Sequence, residues 1–144
     1  MSHTDRKDTK AVVTTCNAAS EQLSASKREL ARNVLSRLSG KWPLWVLHVL
    51  AAADAPMRFT RVLEAVDGIT QKVLTRTLRQ LECDGFVTRT LYPQVPPRVD
   101  YALTELGGDL LIQTAPLFAW VITEVESFAA ARGRFVKEPV CMSA

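Results

Sequence analysis

Residues 58–103 read RFTRVLEAVDGITQKVLTRTLRQLECDGFVTRTLYPQVPPRVDYAL. Phe59, Val62, Leu63 and Val66 form the apolar stripe of a short helix, which Asp67-Gly68 interrupts. Thr70 then offers a hydroxyl to cap a second helix spanning Gln71 to Cys83. In that helix Leu74, Leu78 and Leu81 recur at i, i+4 and i+7, with Ile69 just before them, and predict an inward face. Lys72, Arg76 and Arg79 share the same spacing on the opposite side, flanked by Gln71 and Thr75. Like charges at that spacing repel by roughly a few tenths of a kcal/mol per pair. Charge runs usually mark a solvated face, but this one gains nothing for stability and would be neutralised by a polyanion.

Gly85 closes the helix as its C′ residue. Phe86 to Tyr92 and Arg98 to Leu103 are rich in β-branched and aromatic residues and predict a hairpin. Three prolines stiffen its loop, Pro93-Gln94-Val95-Pro96-Pro97. Helix, turn, helix and stiff hairpin is the layout of a winged helix-turn-helix, mainly α with a small β wing. In that layout the second helix lies in the major groove of DNA.

Outward from this unit, residues 1–20 are polar and small and read as an N-terminal arm that is mobile or ordered only against a partner. Residues 21–131 form the domain, and 132–144 a C-terminal tail. Leu30, Val34 and Leu38 line one side of a helix that Ser39-Gly40 ends. Pro43 suits the first turn of the next, apolar nearly all round from Leu44 to Leu50 apart from His48, and so expected to be buried on most sides. Thr104 caps a long final helix that Pro116 should kink or divide. Its stripe, Leu106, Leu110, Leu117, Val121 and Val125, exceeds what so small a DNA-binding unit covers. A surplus of that kind marks an interface, so the N- and C-terminal helices are expected to build a homodimer. Trp42, Trp45 and Trp120 are read as core or interface packing, with an effector pocket between the dimer helices as the sharper alternative.

Net charge is only +3, but residues 27–103 hold 12 of the 18 Lys+Arg and 7 of the 15 Asp+Glu. That segment is therefore +5 and the rest −2, a nucleic-acid footprint centred on the helix-turn-helix. Three separated cysteines, Cys16, Cys83 and Cys141, and two histidines, His3 and His48, assemble neither a zinc site nor a disulfide framework. No nucleophile triad, phosphate loop or dinucleotide fingerprint is present, so neither an enzyme nor a cofactor is expected. The apolar run Trp42–Ala53 is too short for a membrane span and the N-terminus is unlike a secretory signal, so cytoplasm is the default. A winged helix that binds an acidic protein groove instead of DNA is the rival reading.

Three blocks carry a resemblance. They are Gly40-Lys41-Trp42 through Gly68-Ile69-Thr70-Gln71-Lys72-Val73-Leu74-Thr75; Leu78-Arg79-Gln80-Leu81-Glu82 with Asp84-Gly85; and Tyr92-Pro93, Val95-Pro96-Pro97-Arg98-Val99 and Tyr101 to Gly107. In order and spacing, from about Ser39 to Leu111, they resemble the HxlR-type winged helix-turn-helix regulators of bacteria, cousins of the MarR type. The resemblance implies a homodimeric transcriptional regulator on a pseudo-palindromic operator, with repression or autoregulation the expected mode and a small molecule or oxidant the candidate signal. Carried over by position, Gln71, Lys72, Thr75, Arg76 and Arg79 lie on the recognition helix, Arg98 at the base of the wing, and Lys41 and Arg58 near phosphates. Many members carry a cysteine about a dozen residues before Gly-Lys-Trp, where this chain has Arg28-Glu29-Leu30. Thiol sensing is therefore not inherited, and Cys16 and Cys83 stand as the redox candidates.

Overall fold

Local signals set most of the element boundaries in the computed structural model, which describes residues 6–137. The chain runs α1 (Arg6–Glu21), α2 (Ala25–Leu38), α3 (Pro43–Ala53), β1 (Met57–Arg58), α4 (Phe59–Ala65), α5 (Gln71–Cys83), β2 (Val87–Tyr92), β3 (Arg98–Leu103), α6 (Glu105–Thr123) and α7 (Val125–Lys137). Ser24, Thr70 and Thr104 cap α2, α5 and α6 by accepting from the N–H of Lys27, Val73 and Gly107. Pro43 opens α3 where its missing N–H is harmless. Gly85, at φ 82°, ends α5 in the left-handed region. The Phe86 N–H then reaches Leu81 O at 2.9 Å and the Gly85 N–H reaches Glu82 O at 3.1 Å, the paired bonds of a Schellman motif.

β2 and β3 form the hairpin, with Val87 opposite Leu103 and Tyr92 opposite Arg98. β1 adds an edge strand of two residues, Met57 against Tyr101 and Arg58 against Asp100, giving the order β1-β3-β2. The core lies where α3, α4 and α5 meet this sheet: Val46, Leu47, Val62, Leu74 and Leu78 are wholly buried, with Phe86, Val87 and Tyr101 closing it from the sheet side. At roughly 1.5–3 kcal/mol for each fully buried aliphatic or aromatic side chain, this cluster outweighs the few tenths contributed by any surface pair.

Several expectations need correction. Within the stretch expected as an arm, Arg6–Glu21 is helical, and its residues from Asp8 on are exposed. Helix α7 runs to Lys137. Pro116 does not divide the final helix, since α6 continues through it; the division falls at Glu124. α3 is not buried on most sides: Trp45 and His48 are exposed, and its open face meets Phe118 of α6 in an edge-on Trp45 contact at 5.8 Å. The longest apolar helix is α6 rather than Trp42–Ala53, and by length and composition alone it is sufficient to cross a membrane. Its Leu110 and Leu111 pack on the core, while Ile112, Leu117, Trp120 and Ile122 are exposed. His3 and Cys141 lie outside the described residues.

Candidate nucleic-acid interface

The second helix of the helix-turn-helix, α5, presents two chemically opposite faces. Leu74, Thr77, Leu78 and Leu81 are buried, whereas Gln71, Lys72, Thr75, Arg76 and Arg79 are all exposed. The two ion pairs among the described residues are Arg37–Asp84 and Arg98–Asp100, so the three cations of α5 have no carboxylate partner. Thr75 donates its hydroxyl to the Gln71 backbone carbonyl at 2.8 Å, and the Gln71 residue itself is exposed.

Two grooves border this face. One, of about 550 Å³, lies between α5 and the wing and is lined by Arg58, Gln71, Thr75, Gln94 and Arg98 among others. The other follows the outer surface of α5 through Lys72, Thr75, Arg76, Arg79 and Cys83. Seven of the eight expected contact residues thus share the α5 surface or the groove beside it, Arg58 from β1 among them. Lys41 does not. It lines a separate cavity, its ammonium 4.5 Å from the ring centre of Trp42.

Arg98 is more constrained than its position in the sequence suggests. Its Nε and Nη2 donate to both carboxylate oxygens of Asp100 at 2.8 and 2.7 Å, and its guanidinium lies 5.1 Å over the Tyr92 ring. Residues two apart on a strand share a face, and Arg58 stands opposite Asp100 in register, so one buried carboxylate sits beneath two cations. The Arg98 hydrogen bonds, reinforced by the charges of Arg98 and Arg58, hold the Asp100 carboxyl below its ordinary range despite burial. The same pairing holds the Arg98 guanidinium above its ordinary value.

Arg89 was not anticipated. It faces Tyr101 across the hairpin, which turns it toward α5, and it lines a groove with Arg79 and Cys83. The excess of arginine over acid in the hairpin was the available signal; only the register tells which face Arg89 takes.

The far end of α5 is anchored to the two flanking helices. Asp84, its C-cap, accepts from Nε and Nη2 of Arg37 in α2, and this pairing raises the Arg37 guanidinium further above its ordinary value. Thr104, at the head of α6, donates its hydroxyl to Gly85 O at 2.7 Å and its N–H to Phe86 O at 3.1 Å. Cys16 and Cys83 are free, exposed thiols, on α1 and at the end of α5 respectively. No group of three His, Cys, Asp or Glu that could hold a metal occurs among the described residues.

The model of the HxlR-like helix-turn-helix family matches residues 37–128. An HTH-type transcriptional regulator of Halalkalibacterium halodurans, BH0655, is 43% identical over 86 residues, covering 60% of this chain and 75% of the relative. The HTH-type transcriptional regulator YtfH of Escherichia coli is 33% identical over 102 residues, covering 71% of this chain and 79% of its own length. Among solved structures, the redox regulator HypR in its reduced form superposes with a TM-score of 0.61 at 33% identity, over 69% of this chain and 97% of HypR.

Proposed function

This chain belongs to the HxlR-like helix-turn-helix family of transcriptional regulators, and on that premise we propose that α5 enters the major groove of an operator and reads it through Arg76 and Arg79. The observation that carries the reading is the bare cationic face of α5, exposed and without acidic partners beside the wing groove. Arg reads guanine by bidentate hydrogen bonds, whereas Lys more often meets phosphate, so Lys72 is assigned to the backbone. Gln71 and Thr75 stand where α5 meets the wing, and Arg58 lies across the groove on the backbone side. Arg98 braces the wing through Asp100 and has its remaining N–H groups to offer. Arg89 joins the interface from β2. Lys41 is left with a weaker claim to a phosphate because its ammonium is turned onto Trp42.

The protein acts as a homodimer built on the exposed apolar faces of α2, α6 and α7, and so binds a pseudo-palindromic site. Repression is the expected mode, by occupying a promoter. The similarity to HypR supports an oxidant as one candidate signal, with Cys16 and Cys83 the thiols exposed to it. A band shift on non-reducing gels after mild peroxide, lost in Cys16→Ser or Cys83→Ser, tests that arm.

The test of the central reading is a titration of duplex from the adjacent intergenic region against random duplex. Arg76→Ala is expected to weaken operator binding by about 1–3 kcal/mol and to relax preference at one base pair. Lys72→Ala weakens both duplexes alike and flattens the salt dependence by about one unit of slope. Unchanged affinity and selectivity in Arg76→Ala would overturn the assignment.

A further inference from the structure

Apart from the groove beside the wing, α3 and the turn joining α4 to α5 border an open cavity of about 350 Å³. Its walls are the indoles of Trp42 and Trp45 with Val49 on one side, and Ala65 with the turn backbone on the other. Trp45 keeps 52% of its surface exposed, although its ring is fixed edge-on against Phe118 at 5.8 Å. Two held aromatic side chains bordering an open cavity are a ready-made stacking surface, and the volume lies within the range of small-ligand sites. Two charged groups line it as well: Lys41, set over Trp42, and Asp67, on the turn. They form no ion pair with each other or with anything else among the described residues.

That combination selects a ligand class. A carboxylate drawn to Lys41 would be repelled by Asp67, and an ammonium drawn to Asp67 would be repelled by Lys41. A hydroxyl satisfies both, since it accepts from an ammonium and donates to a carboxylate. We propose that this cavity binds a flat aromatic of one or two rings bearing a hydroxyl group, stacked against Trp42 and Trp45 with its hydroxyl between Lys41 and Asp67. The site differs from a pocket between the dimer helices, which the tryptophans suggested from sequence alone. Its second wall is the turn that sets the start of α5. The turn lies close by, since an added Cβ on Gly68 would sit in ordinary van der Waals contact with the Trp42 ring at 3.8 Å, so a ligand seated on the indoles rests against the segment that leads into α5 and couples to its placement. This regulatory half rests on the DNA-binding reading; the binding half does not.

Calorimetry of the full chain with 2-naphthol at neutral pH, without DNA, tests the binding half. Saturable heat is expected, about ten-fold tighter than with 2-naphthoate, in keeping with one hydrogen bond kept against one charge opposed. Ala65→Phe fills the cavity from an exposed position and abolishes the heat. Asp67→Asn keeps an acceptor but removes the repulsion, narrowing the gap between the two ligands. Absence of saturable heat, equal binding of 2-naphthoate, or undiminished binding by an Ala65→Phe variant that melts as a folded protein overturns the site. Saturating 2-naphthol is then expected to change the duplex Kd by about five-fold or more, the lower end of ordinary coupling. An unchanged Kd at saturation rejects the regulatory half. Loss of duplex binding without naphthol would count against the DNA reading alone.

Discussion

Asp100 and Gly107 carry little charge or bulk to the surface, yet each fixes a geometry the interface depends on. Asp100 is 4% exposed and held by both forks of Arg98, with Arg58 adjacent. Because its folded pKa is depressed, its contribution to stability is fully present above the unfolded value of about 3.9 and is lost as pH falls through the folded value. Asp100→Asn is therefore expected to flatten the acid limb of the stability curve below about pH 4, and to lower the midpoint at pH 7 by leaving Arg98 without its partner. Denaturant melts at stepped pH check this, and an unchanged acid limb would reject it. Gly107 sits where α6 crosses the hairpin; a Cβ there would overlap the Phe86 carbonyl oxygen and come within 2.8 Å of Leu103 Cδ1. Neither backbone can give way without loosening the Thr104 bridge to Gly85 and Phe86. Gly107→Ala is expected to cost about 1–3 kcal/mol by overpacking, read as a lower urea midpoint with unchanged slope. Gly108, one residue on, has open space and is the control at which Ala should be tolerated.

Helix α5, the proposed recognition helix, is held at both ends, and its length was readable before any fold was known. Thr70→Ala removes the hydroxyl that accepts from Val73 N–H, and is expected to cost about 1 kcal/mol; Thr70→Asp, which caps equally well, should restore it. A circular-dichroism melt of the pair of variants decides whether the cap or the side-chain volume matters. Thr70, Gly85 and the leucine spacing are local signals lying within the helix or next to its ends, which is why α5 runs from Gln71 to Cys83 as its sequence predicts. β1 was not legible, because two residues after Pro56 carry no period and become a strand only by pairing with β3. The division at Glu124 likewise follows from how the chain continues after α6, while Pro116, the obvious breaker, is accommodated within the helix. The Arg98–Asp100 clamp was there to be read from two residues at strand spacing, but one of them already had a DNA role assigned to it. Arg37–Asp84 spans 47 positions and no local pattern announces it.

At the scale of the whole molecule, a folded monomer of 16.0 kDa should expose roughly 7,400 Å². This chain exposes 11581 Å², and its exposed large apolar side chains include Leu30 and Leu35 on α2, Ile112, Leu117, Trp120 and Ile122 on α6, and Phe128 and Phe135 on α7. Obligate homodimer interfaces bury about 2,000–5,000 Å², so a second copy would account for such a surplus. The helices bearing these faces also grip the end of α5, α2 through Arg37–Asp84 and α6 through Thr104. Any rearrangement of a dimer interface on them would therefore reach α5, the helix proposed to face DNA, through two short bridges. Two recognition helices related by a twofold axis engage one face of the duplex when their centres lie about 34–36 Å apart. Leu117→Glu with Ile122→Glu places charge on exposed positions of α6, where the fold of each subunit does not depend on them. The double variant is expected to run at 16.0 kDa by light scattering where the parent runs at twice that mass, with helical content kept. Its operator affinity should fall on the order of 10²-fold, because each subunit then binds a half-site without the effective concentration that tethering provides. A variant that stays dimeric moves the interface off α6, and a monomer that binds the operator as tightly as the parent removes the need for two α5 helices on one duplex.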